Sequence, residues 1–204
     1  MAAAKHLFAR LPFELVTMEA VAAQAQVSKM TVYSHFGDKE TLFENIVSAT
    51  AQEMIAALSA PEGEGGLRDR LAAFGIAFLD VILGSEVCAM AHTLPMTLRG
   101  NRSLAERFYA AGPGRVRAAL AEIIAAAAEQ GELMVDDADR AADDLVCLWQ
   151  GSMPERLAYG LEQPVVLEEI ERRAVRGTEV FLRAYRKAVQ HCGAGEKQRR
   201  RLGC

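Results

Sequence analysis

Apolar residues recur along this chain in steps of three and four, and the alternation that marks strands is nearly absent. The stripes fall into segments with recognisable ends. Residues 2–11 form a short helix with Leu7, Phe8 and Leu11 on one face; Pro12 ends it, because proline disfavours helical backbone at the residue before it. Thr17 is a good N-cap for a second helix, whose stripe is Met18, Val21, Ala22 and Ala25. Ser28 is the next N-cap, with Val32 and Phe36 pointing back at that stripe. Gly37 and Asp38 then break the chain, and Asp38 caps a long helix running to about Ser59.

The segment 61–66 is a Pro/Gly-rich linker, at or just after a domain boundary. Helices are expected at 67–83, 86–98 and 103–111, with a loop at 99–102. Pro113 opens a helix that ends near Gly131. One long helix covers 136–160, kinked by Pro154, and a last one covers 166–190. On that last helix Leu167, Ile170, Ala174, Gly177, Phe181, Ala184 and Ala188 form a heptad-like seam, and Leu145, Leu148, Trp149 and Ser152 offer a matching face. Residues 193–204 are expected to be a disordered tail. The fold class is therefore all-α.

Composition changes this picture in two places. The net charge is −4, and residues 1–59 hold four cations (Lys5, Arg10, Lys29, Lys39) against six acids (Glu14, Glu19, Asp38, Glu40, Glu44, Glu53). No broad basic surface exists there, so any nucleic-acid contact must be local. The cysteines, Cys88, Cys147, Cys192 and Cys204, include no C-x-x-C pair, and reduced thiols in a cytoplasmic protein are expected. The most apolar run, 74–84, is too short to span a bilayer and contains Asp80, so no membrane partner is expected.

The run Val21-Ala22-x-x-Ala25-x-Val27-Ser28-Lys29-x-Thr31-x-Tyr33-x-His35-Phe36-x-x-Lys39-x-x-Leu42-Phe43 resembles the helix-turn-helix of the tetracycline-repressor (TetR) family. The remainder is similar to that family in layout, loosely to its AefR-like C-terminal domain. The resemblance implies a three-helix DNA-binding domain over 1–47 and a helical ligand-binding and dimerisation domain over 48–192. It implies a cytoplasmic transcriptional regulator, a repressor released from a palindromic operator by a small apolar ligand. The protein would be a homodimer through about 139–160 and 166–190, with no enzymatic activity and no cofactor. Three departures stand out. Gln26 occupies the usual turn glycine, so the residue either takes a left-handed conformation or the turn adjusts. Pro12 stands near the glycine that usually ends the first helix, and the chain begins within what would be that helix. Either a basic arm lies upstream or its phosphate contacts are lacking.

In a helix-turn-helix the second helix enters the major groove with its N-terminal residues toward base edges. By position Lys29, Met30, Thr31 and Ser34 would face bases. Thr17, Ser28, Tyr33, His35 and Lys39 would face phosphates, the last three by family resemblance. The competing reading makes Tyr33 and His35 packing residues and Lys29 a solvated charge. For the ligand, Phe74, Phe78, Met90, His92, Met96, Phe108, Trp149 and Met153 are candidate pocket residues, with Val81 and Tyr109 beside them; ordinary core is the alternative for each. Cys88 and His92 share a helical face, but two ligands are half a metal site, and no metal is expected. No catalytic constellation is present. The alternative function is a helical ligand-binding or thiol redox-sensing protein with weak or lost DNA binding.

Overall fold

The computed structural model describes residues 1–56, 66–84, 94–161 and 165–186. The described chain is helical: α1 (Ala2–Arg10), a 3-10 turn (Phe13–Leu15), α2 (Met18–Gln24), α3 (Lys29–Phe36), α4 (Lys39–Ala56), α5 (Gly66–Leu83), α6 (Leu94–Gly100), α7 (Arg102–Ala111), α8 (Pro113–Glu129), α9 (Ala138–Gln150), α10 (Met153–Ala158) and α11 (Leu167–Tyr185). An isolated antiparallel bridge pairs Leu133 with Arg186. Side chains start the helices where the sequence places them. Thr17 accepts from the Ala20 amide at 3.1 Å and Ser28 from Thr31 at 3.1 Å. Asp38 accepts from Thr41 at 2.6 Å, and hydrogen bonding from Thr41 holds the Asp38 carboxyl below its usual range.

Two cores result. In the smaller, Phe8, Phe13 and Phe43 meet with ring centroids 5.0–5.6 Å apart, joined by Val21, Ala22, Val32 and Ile46. Leu104 of α7 is part of this core, so the N-terminal helices rest on the rest of the chain. The larger core centres on Trp149. Its indole lies where α5 and α11 each carry a glycine: a Cβ on Gly75 or on Gly177 would come within 2.7 Å of the ring. The indole N–H donates to the buried Thr178 hydroxyl at 3.1 Å, and Phe74 and Phe78 flank the ring at 5.8 and 6.1 Å. Helix α4 runs unbroken from the small core to the large one: Phe43 and Ile46 belong to the first, Ala51 and Met54 to the second.

The structure corrects several expectations. The seam on α11 is intramolecular: Ile170, Ala174, Gly177 and Phe181 are buried against the chain's own helices, as are Leu145 and Trp149. An apolar stripe records that something covers it, not which molecule does. Leu167, Leu148, Val180, Ser152 and Ala184 remain exposed. The expected kinked helix is two helices. The break falls at Gly151 (φ 50°, ψ −137°), because Pro154 has no N–H for the Gln150 carbonyl and its ring would collide with it. Helix α11 ends at Tyr185, whose carbonyl accepts from the Met134 amide at 2.7 Å. Ala25 is exposed, because the helix ends at Gln24. The 99–102 segment is mostly helical, Asn101 serving as the N-cap of α7. The linker at 61–65, the helix predicted from 86 as far as 93, Cys88, Ala188, the remaining cysteines beyond residue 186 and the tail lie outside the described residues.

Gly177→Ala should lower the melting temperature, because overpacking against Trp149 costs about 1–3 kcal/mol, more than alanine's helix preference of about 1 kcal/mol returns. Gly100→Ala, where a Cβ meets nothing within 4 Å, should leave it unchanged or raise it in the same thermal melt.

Candidate nucleic-acid interface and ligand cavity

Helix α3 has one buried anchor, Val32, which packs into the small core, and Phe36 is half-buried beside it. Lys29, Met30, Thr31, Tyr33, Ser34 and His35 are all exposed, Met30 to 77%. A helix of this composition held by so little leaves a polar face free to enter a groove. The turn that sets α3 across α2 carries the strain anticipated at Gln26, whose φ is 55°. Its amide donates to the Ala23 carbonyl and the Val27 amide to the Ala22 carbonyl, each at 3.1 Å, so the turn is a hydrogen-bonded one that glycine would fill without strain.

The exposed side chains form a local network. Ser28 and Thr31 hydroxyls lie 2.8 Å apart, and the Ser34 hydroxyl donates to the Thr31 carbonyl at 3.0 Å. His35 Nδ1 lies 2.9 Å from the same carbonyl, which can only accept, so the ring proton sits on Nδ1 and Nε2 faces outward. With its proton committed, Ser34 offers lone pairs to a base amino group. Lys29 is ion-paired with Glu19 of α2, and its ammonium lies 5.4 Å from the Tyr33 ring centroid. The hydrogen bond between the two shifts Glu19 to a lower pKa and Lys29 to a higher one.

Lys39 is differently placed from the other expected phosphate contacts. Its ammonium donates to the Phe13 carbonyl at 2.8 Å and the Glu14 carbonyl at 3.4 Å, and sits 4.4 Å over the Phe13 ring. Two of its three N–H bonds therefore tie the 3-10 turn to α4, leaving one for a phosphate.

Behind this domain lies a cavity of about 640 Å³. Its walls come from α1 (Lys5, Phe8), α4 (Phe43 to Met54), α5 (Phe78, Val81, Ile82), and the α7–α8 corner (Phe108, Gly112, Val116). That volume is in the range of small-molecule sites. Of the predicted pocket residues, Phe78, Val81 and Phe108 line it. Phe74, Trp149 and Met153 do not, because they are consumed by the large core. Met96 is 69% exposed and does not line it either, since α6 packs inward through Leu94 and Leu98 instead. Tyr109 is exposed as well, while Met90 and His92 lie outside the described residues. The wall formed by α1 and α4 was not expected from sequence, where the apolar residues of those helices read as packing positions.

Beside the cavity, α4 is clamped to α7 and α8. Arg107 reaches Glu44 at 2.6 Å and the Thr41 hydroxyl at 3.1 Å, and Arg115 reaches the Ser48 hydroxyl at 2.7 Å.

Residues 1–46 match the family model for bacterial regulatory proteins of the tetR family, and residues 69–187 match that for the AefR-like transcriptional repressor C-terminal domain. The chain belongs to the TetR family. TetR-family proteins are transcriptional regulators rather than enzymes; they bind operator DNA and act as dimers. Among solved structures, a TetR-family regulator from Mesorhizobium loti is 24% identical with a TM-score of 0.76, over 91% of this chain and 94% of that one. The flavonoid-responsive regulator FrrA is 29% identical with a TM-score of 0.70, over 92% and 95%. A TetR regulator from Agrobacterium tumefaciens is 22% identical with a TM-score of 0.66, over 92% of each. No curated protein matches the chain.

Against this TetR frame, the described residues include no group of three or more His, Cys, Asp or Glu able to hold a metal, and no helix long and apolar enough to cross a membrane. Cys147 is an exposed free thiol.

Gln26→Gly should stabilise the protein by about 1 kcal/mol by removing the left-handed strain, raising the melting temperature by about 2–4 °C. Lys39→Met keeps the apolar stem but strips the 3-10 turn of its ammonium. It should lower the melting temperature by several degrees and weaken DNA binding about equally for all sequences, read by a thermal melt beside a salt titration.

Proposed function

We propose that this TetR-family protein is a cytoplasmic homodimeric repressor that leaves a palindromic operator when a small apolar ligand enters the cavity. The observation that carries the reading is the path of α4, which belongs to the DNA-binding domain at one end and walls the cavity along the other. In this reading Lys29, Met30, Thr31 and Ser34 face bases, while Thr17, Ser28, Tyr33 and His35 contact phosphates beside the N-termini of α2 and α3. A ligand between α1, α4 and α5 presses on α4 directly. Displacing α4 against its clamp of Arg107 and Arg115 rotates α1–α3 and changes the spacing of the two recognition helices. Operator and ligand then weaken each other's binding by the same factor.

The dimer face is the exposed remainder of α9 and α11: Leu148, Val180 and Ala184, with Leu167 at the start of α11. A Cβ on Gly177 would meet the Leu148 backbone at 3.1 Å, so α9 and α11 pass close together there. For the ligand, the aromatic rings of Phe8, Phe43, Phe78 and Phe108 suit a planar apolar molecule. The likeness to a flavonoid-responsive regulator makes flavonoids the first compounds to try.

Selection from a pool of random duplexes, followed by sequencing, should enrich an inverted repeat, with binding that falls steeply as salt rises. A pool left unenriched by the full-length protein would sink the reading. A flavonoid panel should then quench the single tryptophan, Trp149, whose ring lies 6.1 Å from that of the cavity-lining Phe78, and release the selected DNA. Val81→Phe, filling part of the cavity, should cut ligand affinity about tenfold or more while the DNA affinity stays within about twofold.

A further inference from the structure

Glu19 is the least expected residue at the reading face. It is an acid at the first turn of α2, close to where α3 begins, and a lone carboxylate there would face the phosphates it should avoid. Among the described residues it has one ion-pair partner. Lys29, ten residues on and at the first position of α3, is ion-paired with it across the turn. Both side chains stay more than half exposed, 57% for Lys29 and 53% for Glu19, so the pair is a surface feature and not a core staple. Exposed pairs of this kind add little to stability. The Tyr33 ring, 5.4 Å from the ammonium, flanks Lys29 on a second side. Lysine is normally a mobile point charge that binds any phosphate; here it is neutralised and held.

The groups left over on the pair match one base pair. An ammonium has three N–H bonds; with one on Glu19, two remain, and guanine offers two adjacent major-groove acceptors, N7 and O6. Glu19 has carboxylate lone pairs to spare, and the cytosine paired with that guanine offers its N4 amino group beside O6. An adenine–thymine pair reverses the match. The ammonium would face the adenine amino group and the carboxylate would face the thymine O4. Resting on the DNA-binding reading above, we propose that Glu19 and Lys29 recognise a guanine–cytosine pair as one unit, with Glu19 a specificity-determining residue of the interface.

The unit also gives a role to one of the acids of the reading domain. Glu19 removes Lys29 from the general attraction to phosphate, so affinity for unrelated DNA falls and discrimination rises. Specificity is gained by penalising the wrong sequence as much as by binding the right one.

The test uses the full-length protein, Glu19→Gln, Lys29→Gln and the double variant, each selecting from the same random duplex pool. The wild type should enrich a guanine–cytosine pair at one position of each half-site. Glu19→Gln should lose about tenfold of that preference, as a missing specific base contact does. It should also bind unrelated duplexes several-fold more tightly. The salt dependence should steepen by about 0.9 in log–log slope, because Lys29 is freed to displace one more counterion. The double variant should lose no more preference than either single one, since the two residues act together. Unchanged preference and slope in Glu19→Gln, or additive losses in the double variant, would overturn the proposal. If the wild type enriches nothing, the DNA-binding reading falls and this one with it. If the wild type enriches a site and Glu19→Gln enriches the same site, only this proposal falls.

Discussion

The larger half of this fold depends on the seating of one indole. Trp149 fills a gap that exists only because α5 and α11 carry glycine where they pass it, Gly75 on one side and Gly177 on the other. The ring's apolar faces are covered by Phe74 and Phe78, and its N–H is satisfied by Thr178, one residue beyond Gly177. A buried indole without that partner would leave a donor unpaired at a cost of about 1–3 kcal/mol. With it, three helices distant in sequence are fixed in both spacing and rotation. That frame forms the fixed wall of the cavity, through Phe78 and its neighbours on α5.

The opposite wall has different mechanical character. It is α4, which stacks Phe43 on Phe108 of α7 with ring centroids 5.9 Å apart and is tied at its surface by Arg107 to Glu44 and Arg115 to Ser48. Surface ion pairs of this kind are worth little each and reform easily in new registers. Gly112 completes the joint, since a Cβ there would come within 2.5 Å of Val47. In the proposed reading, a ligand levers this helix against the Trp149 bundle by breaking its surface ties. In that reading the small core of Phe8, Phe13 and Phe43 carries the movement to α3 as a unit.

Much of the DNA-facing half was legible in the sequence because its signals are local. Thr17, Ser28 and Asp38 cap the helices that follow them, and Val32 anchors α3 as its spacing implies. Gln26 was legible as a conflict, and its φ of 55° shows which way the conflict resolved. The ligand-facing half was less legible. Phe74, Trp149 and Met153 are large and apolar and fit a pocket as well as a core; only the glycines opposite Trp149 decide between the two. Met96 could not be assigned because the side of α6 that packs depends on helices elsewhere in the chain.

The helical class, most helix starts, the recognition motif and the exposed face of α3 follow from local sequence, because each rests on interactions within a few residues. Which apolar stripes face which partners follows from the packing of distant helices. The heptad-like seam of α11 turned out to be covered by Trp149 and α5 within one chain, leaving Leu148, Val180 and Ala184 outside. The cavity against α4 and the pairing of Glu19 with Lys29 belong to the same class. A hydrophobic or charged side chain encodes the need for a neighbour, and the identity of that neighbour is set only when distant helices are packed together.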